Sequence, residues 1–247
     1  MSVHLPTWAD TVGWASREAR VLNAMVTGYP RFFIPRVVDR LAARILDMQR
    51  LDSATEAVPE KTTEARLAVL VLCRRHAELC RRFLLSQESN SASNPPKIEV
   101  LRVTWDGQIS VLKHPLDPLK RVHAPCGKEP IYAVSYPAAD LFPAAKAFWQ
   151  HTGFGISSRR ATYWFDNAPF LASQQNGLTN GANLTSVDET KEKIRRRIAT
   201  WVASDEPIQE ENVYLYPAGM AAIAEIASAI QSLRPNKETP FTVAVIG

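Results

Sequence analysis

Between Ile34 and Met48 the apolar residues fall at Ile34, Val37, Val38, Leu41, Ala42, Ile45 and Leu46. Steps of three and four put them on one stripe of an amphipathic helix, with Pro35 in its first turn and Arg36, Arg40, Arg44 and Arg50 flanking the stripe. Thr63–Leu85 reads as a second helix: its run Leu67–Leu72 would be buried, and the basic residues that follow suit the negative end of a helix dipole. After the polar stretch Ser86–Pro96 the period changes to two. Ile98–Trp105 and Gln108–Lys113 alternate as short strands, and Asp106-Gly107 between them tolerates positive φ, which predicts a two-residue hairpin. Pro115–Pro130, with four prolines and a glycine, reads as loop, Ile131–Tyr136 as a strand and Ala138–His151 as a helix. Residues 1–150 therefore read as an α+β unit.

Gly153–Asn180 reads as loop. Ser186-Val187-Asp188-Glu189 has the form of a capping box and opens a helix through Val202, with Ile194, Ile198, Trp201 and Val202 as its expected buried stripe. An acidic connector, Asp205–Glu211, leads to Val213–Tyr216, a predicted short strand that turns through Pro217-Ala218-Gly219 into an Ala-rich helix, Met220–Leu233. Ile223, Ile226, Ala227 and Ile230 share one face of that helix, and Phe241–Ile246 reads as a further apolar strand. Strand, helix and strand in this order predict a right-handed βαβ unit of a parallel sheet. Such a sheet needs more strands and two covered faces, so the chain reads as stopping inside a domain. The turn is also candidate chemistry. The amides of Gly219 and Met220 precede the helical ladder, and the positive end of the dipole favours an anion there, which makes a phosphate cradle. The same turn also closes many α/β units with nothing bound.

The remaining features narrow the classes. At 247 residues and 46% hydrophobic content the chain has material for one large domain or two modest ones. Twenty-nine Lys and Arg against 25 Asp and Glu leave a net charge of only +4, too small for strong long-range attraction to nucleic acid. Cys73, Cys80 and Cys126 are too few for a secreted disulfide framework and fit a reducing cytosol; no basic leader and no membrane-length apolar run is present, so Asn183-Leu184-Thr185 carries no meaning as a sequon. Cys73, His76 and Cys80, with His123 and Cys126, admit a metal site by spacing. They lack a Cys-x-x-Cys knuckle and read better as buried small hydrophobes. Arg195-Arg196-Arg197 with Lys191 and Lys193 reads as a solvated helix face paired to Glu189 and Glu192. Ser157, Ser158 and the histidines form no nucleophile–base spacing, so no catalytic and no metal-binding residue is assigned.

Six blocks occur in the order found in fungal cystathionine gamma-synthases: Leu5–Trp8, Thr27–Phe33, Phe148–Gly153, Ile156–Arg159, Ile194–Ala199 and Tyr214–Met220. The chain resembles the N-terminal portion of such an enzyme. That resemblance implies an α/β protein in three parts: an α+β extension over 1–150, a loop and Arg-rich helix over 151–211, and the first βαβ unit of a fold type I pyridoxal-phosphate domain over 212–247. It implies pyridoxal 5′-phosphate as cofactor, with Gly219 and Met220 offering amides to its phosphate. The reaction implied is γ-replacement, in which the sulfur of cysteine displaces the acyl group of an O-acyl homoserine and the cofactor is the electron sink. The amino-acid substrates are then the partners, within a cytoplasmic homo-oligomer that binds neither nucleic acid nor membrane. Two departures stand out. The family's aromatic-Gly-Arg-Asn-Leu block appears as Asn180-Gly181-Ala182-Asn183-Leu184, without the phosphate-gripping arginine. The family's ring-stacking aromatic, ring-nitrogen aspartate and anchoring lysine align past Gly247, and Lys191, Lys193 and Lys237 sit in no anchoring motif. The chain alone is therefore expected not to turn over, and the alternative is a non-catalytic remnant or partner subunit of such an enzyme.

Overall fold

A computed structural model of the chain describes residues 6–25, 33–56, 65–87, 97–112, 128–171, 187–203 and 207–233. Two uninterrupted apolar runs build its centre. Strand β1, Arg66–Val71, and strand β4, Ile131–Pro137, pair antiparallel with Val69 opposite Val134. Leu67–Val71 and Ile131–Val134 are unbroken because both faces of the sheet are covered there, and the polar Arg66 and Ser135 beyond them bond to each other, Arg66 Nε donating to Ser135 Oγ at 2.9 Å. β2, Glu99–Val103, and β3, Ile109–Val111, complete a four-stranded sheet in the order β1-β4-β2-β3. Among the described residues every strand pairing is antiparallel, so β1 and β2 run in the same direction with β4 between them, a split β-α-β arrangement.

One face of the sheet carries Val69, Val71, Val100, Val134 and Tyr136 against helix α4, Arg74–Ser86, and helix α5, Ala138–Thr152. The other carries Leu70, Leu101, Val103, Ile131 and Ala133 against α3, Arg36–Glu56, and α6, Ser158–Asn167. Leu41, Ile45 and Trp164 are fully enclosed in this second layer. Each such side chain contributes about 1.5–3 kcal/mol by leaving water. Trp164 meets Trp105 and Phe170 edge to face.

The helix expected over Thr63–Leu85 is thus two elements, β1 and α4. Leu67–Val71 sends alternate side chains into opposite layers, and a strand buried on both faces has the same unbroken apolar pattern as a buried helix. The break falls at Cys73, whose Sγ accepts the N–H of His76 at 3.5 Å, an N-cap outside the usual Ser, Thr, Asp and Asn set. The β2–β3 hairpin is present but its loop is longer than two residues. Thr104 N–H bonds Gln108 C=O at 3.0 Å across Trp105-Asp106-Gly107, and Gly107 takes φ +91, the three-residue form with a left-handed glycine. α6 lies where loop was expected. Ser157 caps it by accepting Arg160 N–H; Ala161 and Trp164 are its buried residues, and Tyr163 and Phe165 pack half-buried against the same layer.

Around this core sit α1, Trp8–Ala15; α2, Ala19–Ala24; α7, Val187–Val202; a 3-10 turn, Glu210–Asn212, that contacts α7; and α8, Gly219–Leu233, which packs on α5. Most of the stripe expected to be buried on α7 is open to solvent: Trp201 is 70% exposed, Ile194 and Val202 are exposed, Ile198 is half-buried, and Ala199 beside it is covered. No helix among the described residues is long and apolar enough to cross a membrane.

Candidate functional site

The strand expected over Val213–Tyr216 does not form. Val213 is extended, but no strand among the described residues pairs with it, and Tyr214 is exposed. Among the described residues there is accordingly no parallel βαβ unit; Phe241–Ile246 lies outside them. The helix start is nonetheless where the sequence places it. The first hydrogen bonds of α8 run from Ala221 N–H (3.0 Å) and Ala222 N–H (3.2 Å) to Ala218 C=O. The amides of Gly219 and Met220 therefore precede the ladder, and a Cβ built on Gly219 would meet no atom within 4 Å. Free amides, a dipole's positive end and open space together meet the needs of a phosphate group.

Three contacts position that helix start. Gly153 ends α5 with φ +66, and a Cβ there would stand 2.9 Å from both Met220 Cβ and the Ala221 nitrogen. Ala221 is wholly buried in the cluster that contains Phe148, Trp149 and Phe154. One turn further on, the buried Glu225 receives Arg75 Nη2 at 3.0 Å and His76 Nε2 at 2.8 Å. The His76 ring lies flat on Phe154, with centroids 3.8 Å apart and planes within 2°.

Burial pushes the His76 pKa below its usual value, outweighing the pull of the Glu225 carboxylate in the other direction. His76 is thus neutral at pH 7. A carboxylate only accepts, so the proton sits on Nε2 and is donated to Glu225; Nδ1 is buried with no hydrogen-bond partner among the described residues. Sequence reading missed Gly153, Arg75, His76 and Glu225 as supports of the turn. The one available signal was Glu225, an acid at i+4 from Ala221 on an otherwise small-residue face. That is the face α8 buries, while Ile223, Ile226 and Ile230, which share another face, are exposed.

The other candidates fall elsewhere. Cys73 caps α4, and Cys80 is enclosed in the core with its thiol pushed far up by burial. No group of three His, Cys, Asp or Glu among the described residues could hold a metal ion, and His123 and Cys126 lie outside those residues. Lys191 and Lys193 are exposed on α7, and Lys237 and Asn180–Leu184 are outside the described residues. On α7, Arg196 pairs with Glu192 at 2.9 Å and reaches Glu210 at 3.2 Å, while Arg197 lies over the Trp201 ring.

Comparison with known proteins covers the same ground. Cystathionine gamma-synthase of Neurospora crassa is 37% identical over 164 residues, which is 66% of this chain and 23% of that protein. The cystathionine gamma-synthase-like enzyme iboG1 of Amanita muscaria is 29% identical across 90% of this chain and 40% of its own length. Alanine racemase ungC of Aspergillus violaceofuscus is 29% identical across 94% of this chain and 41% of its own length. The chain thus spans less than half the length of each of these relatives. No solved structure matches. Residues 37–157, which run from α3 through the whole sheet to the Gly153 cap, match the family described as the fungal trans-sulfuration enzyme N-terminal domain, and to that domain family this part of the chain belongs.

Proposed function

We propose that the chain is the N-terminal portion of a pyridoxal-phosphate enzyme of the cystathionine gamma-synthase type, acting in γ-replacement on an O-acyl homoserine by cysteine. The observation that carries this reading is convergence: blocks Phe148–Gly153 and Tyr214–Met220, far apart in sequence, meet where Gly153 abuts Met220 and Ala221. The residues present fit the phosphate end of the cofactor. Gly219 and Met220 would hold it with their amides, and when bound the cofactor supplies an electron sink for substrate carbanions. This chain's own contribution is positional: Gly153 sets how closely α5 and α8 approach, and Glu225, gripped by Arg75 and His76, fixes the rotation of α8.

The relative named alanine racemase aligns with 94% of this chain, so alignment to this region does not by itself specify γ-replacement. The 37% identity to the Neurospora crassa cystathionine gamma-synthase supports that chemistry over racemisation. The test is a chimera in which this chain replaces the matching N-terminal part of the Neurospora crassa enzyme. Formation of cystathionine from an O-acyl homoserine and cysteine supports the proposal. Cofactor binding with alanine racemisation and no cystathionine rejects the reaction but keeps the cofactor.

A second reading, a partner subunit that binds a full-length homologue without turnover, is favoured by the exposed apolar faces of α7 and α8. Co-purification of this chain with a full-length homologue, and no activity from the chimera, would select it.

A further inference from the structure

We propose that the groove between α3 and α6 is a binding site for a small organic polyanion, a phosphorylated or polycarboxylate metabolite, separate from the Gly219–Met220 turn. The groove encloses about 790 Å³, within the size range of metabolite pockets. Arg36 and Arg40, one helical turn apart on α3, and Arg159, on the first turn of α6, line it. Among the described residues none of the three has a carboxylate partner, whereas Arg20, Arg66, Arg75, Arg81, Arg82, Arg160 and Arg196 each have one. Guanidinium groups that line one groove without salt-bridge partners make it favourable to an anion, which takes charge-assisted hydrogen bonds from them.

Two of the three are already held in place. Arg36 Nη2 donates to Leu22 C=O at 3.2 Å and Asn23 Oδ1 at 3.0 Å, neutral acceptors that orient it without cancelling its charge. Arg40 lies over the Phe165 ring at 5.3 Å, which leaves its N–H edge free for an anion. The Ser157 hydroxyl takes Arg160 N–H, so the amides of Ser158 and Arg159 add the positive end of the α6 dipole to the same groove. Asp166 is the single carboxylate in the lining; it follows Phe165, on which Arg40 rests, and lies seven residues along α6, roughly 10 Å from Arg159, so the Arg159 end of the groove is not neutralised. Ser158 and Arg159 belong to the Ile156–Arg159 block, for which the γ-replacement reading supplies no role.

The inference does not rest on that reading, and its test is calorimetric titration of the 247-residue chain at low salt with pyrophosphate and, separately, citrate. Binding of either is expected, with Arg159→Gln and Arg40→Gln each weakening it about tenfold or more, since each removes a charge-assisted contact. Arg159→Lys, which keeps the charge, should retain most of the affinity, and Arg196→Gln on α7 should leave it unchanged. A preference for pyrophosphate or for citrate tells a phosphorylated ligand from a polycarboxylate. The proposal is overturned by absence of heat at millimolar ligand, by equal weakening in Arg196→Gln, or by loss in Gly219→Pro with none in Arg159→Gln. Binding of a single-stranded oligonucleotide without binding of pyrophosphate or citrate also overturns it.

Discussion

Gly153 carries two demands at one position. Its φ of +66 closes α5, and its missing side chain lets the first turn of α8 approach. Gly153→Ala should therefore cost about 1–3 kcal/mol from the left-handed backbone alone. Contact with Met220 and Ala221 adds to this, and a shift in urea midpoint at unchanged slope is the measurement. His76 gives a pH signature of definite sign. Its folded pKa lies below the value near 6.5 of an unfolded chain, so in the window beneath about 6.5 the unfolded state binds more protons and stability rises with pH. The contribution is complete above that window and is lost as pH falls through the folded value. Thermal midpoints between pH 5 and 7 should fall on acidification, and His76→Phe, which keeps the stack on Phe154, should flatten the dependence. An equal slope in both proteins would remove His76 as the cause.

Among the elements, α8 is the most instructive because its apolar pattern points the wrong way. Its larger residues, Ile223, Ile226 and Ile230, lie outward, and Ala221, Ala224 and Glu225 lie against the core. The helix is placed by close approach of small residues and by one buried carboxylate, and hydrophobic periodicity weighs neither. Glu225→Gln should keep the shape and lose the charge. Hydrogen exchange over 219–233 should then rise about tenfold or more while β4 stays protected, since hydrogen bonds to a charged group contribute about 1.5–3 kcal/mol. The helix start allows a complementary test. Proline is well tolerated at a first helical position and removes an amide that the ladder does not use. Gly219→Pro should weaken pyridoxal phosphate binding in the chimera by about tenfold to a hundredfold, with little change in thermal midpoint. Unchanged affinity would take Gly219 out of the phosphate site.

At the scale of the molecule, the sheet with its four covering helices is buried on both sides, whereas α7 and α8 leave Trp201, Ile226 and Leu233 in solvent. Exposed apolar helix faces promote association. Sedimentation of the isolated chain should show concentration-dependent self-association, and Ile226→Glu with Trp201→Glu should reduce it without lowering the stability of the core. Hydrogen exchange should also rank the parts: amides of 207–233 should exchange far faster than those of β4, because one face of α8 packs on α5 while β4 has a neighbouring strand on each side. Equal protection of the two regions would contradict this ranking.

Local spacing determined much of the outcome. α3, the β2–β3 hairpin, β4, α5, α7 and the helix after Gly219 each have a period or a turn signal contained within their own residues, and a short-range pattern is enough to specify them. The ordered blocks likewise identified the domain family without a contact map. Tertiary structure decided the rest. β1 took its strand form from pairing with β4, which lies about sixty residues later in the chain, and α6 took its place from the enclosure of Trp164. Among the described residues no strand lies beside Val213–Tyr216, and the segment stays unpaired there. The face of α8 that is buried, and the meeting of Gly153, His76 and Glu225 at its start, depend on contacts between residues distant in sequence, and such contacts leave no period for a local pattern to reveal.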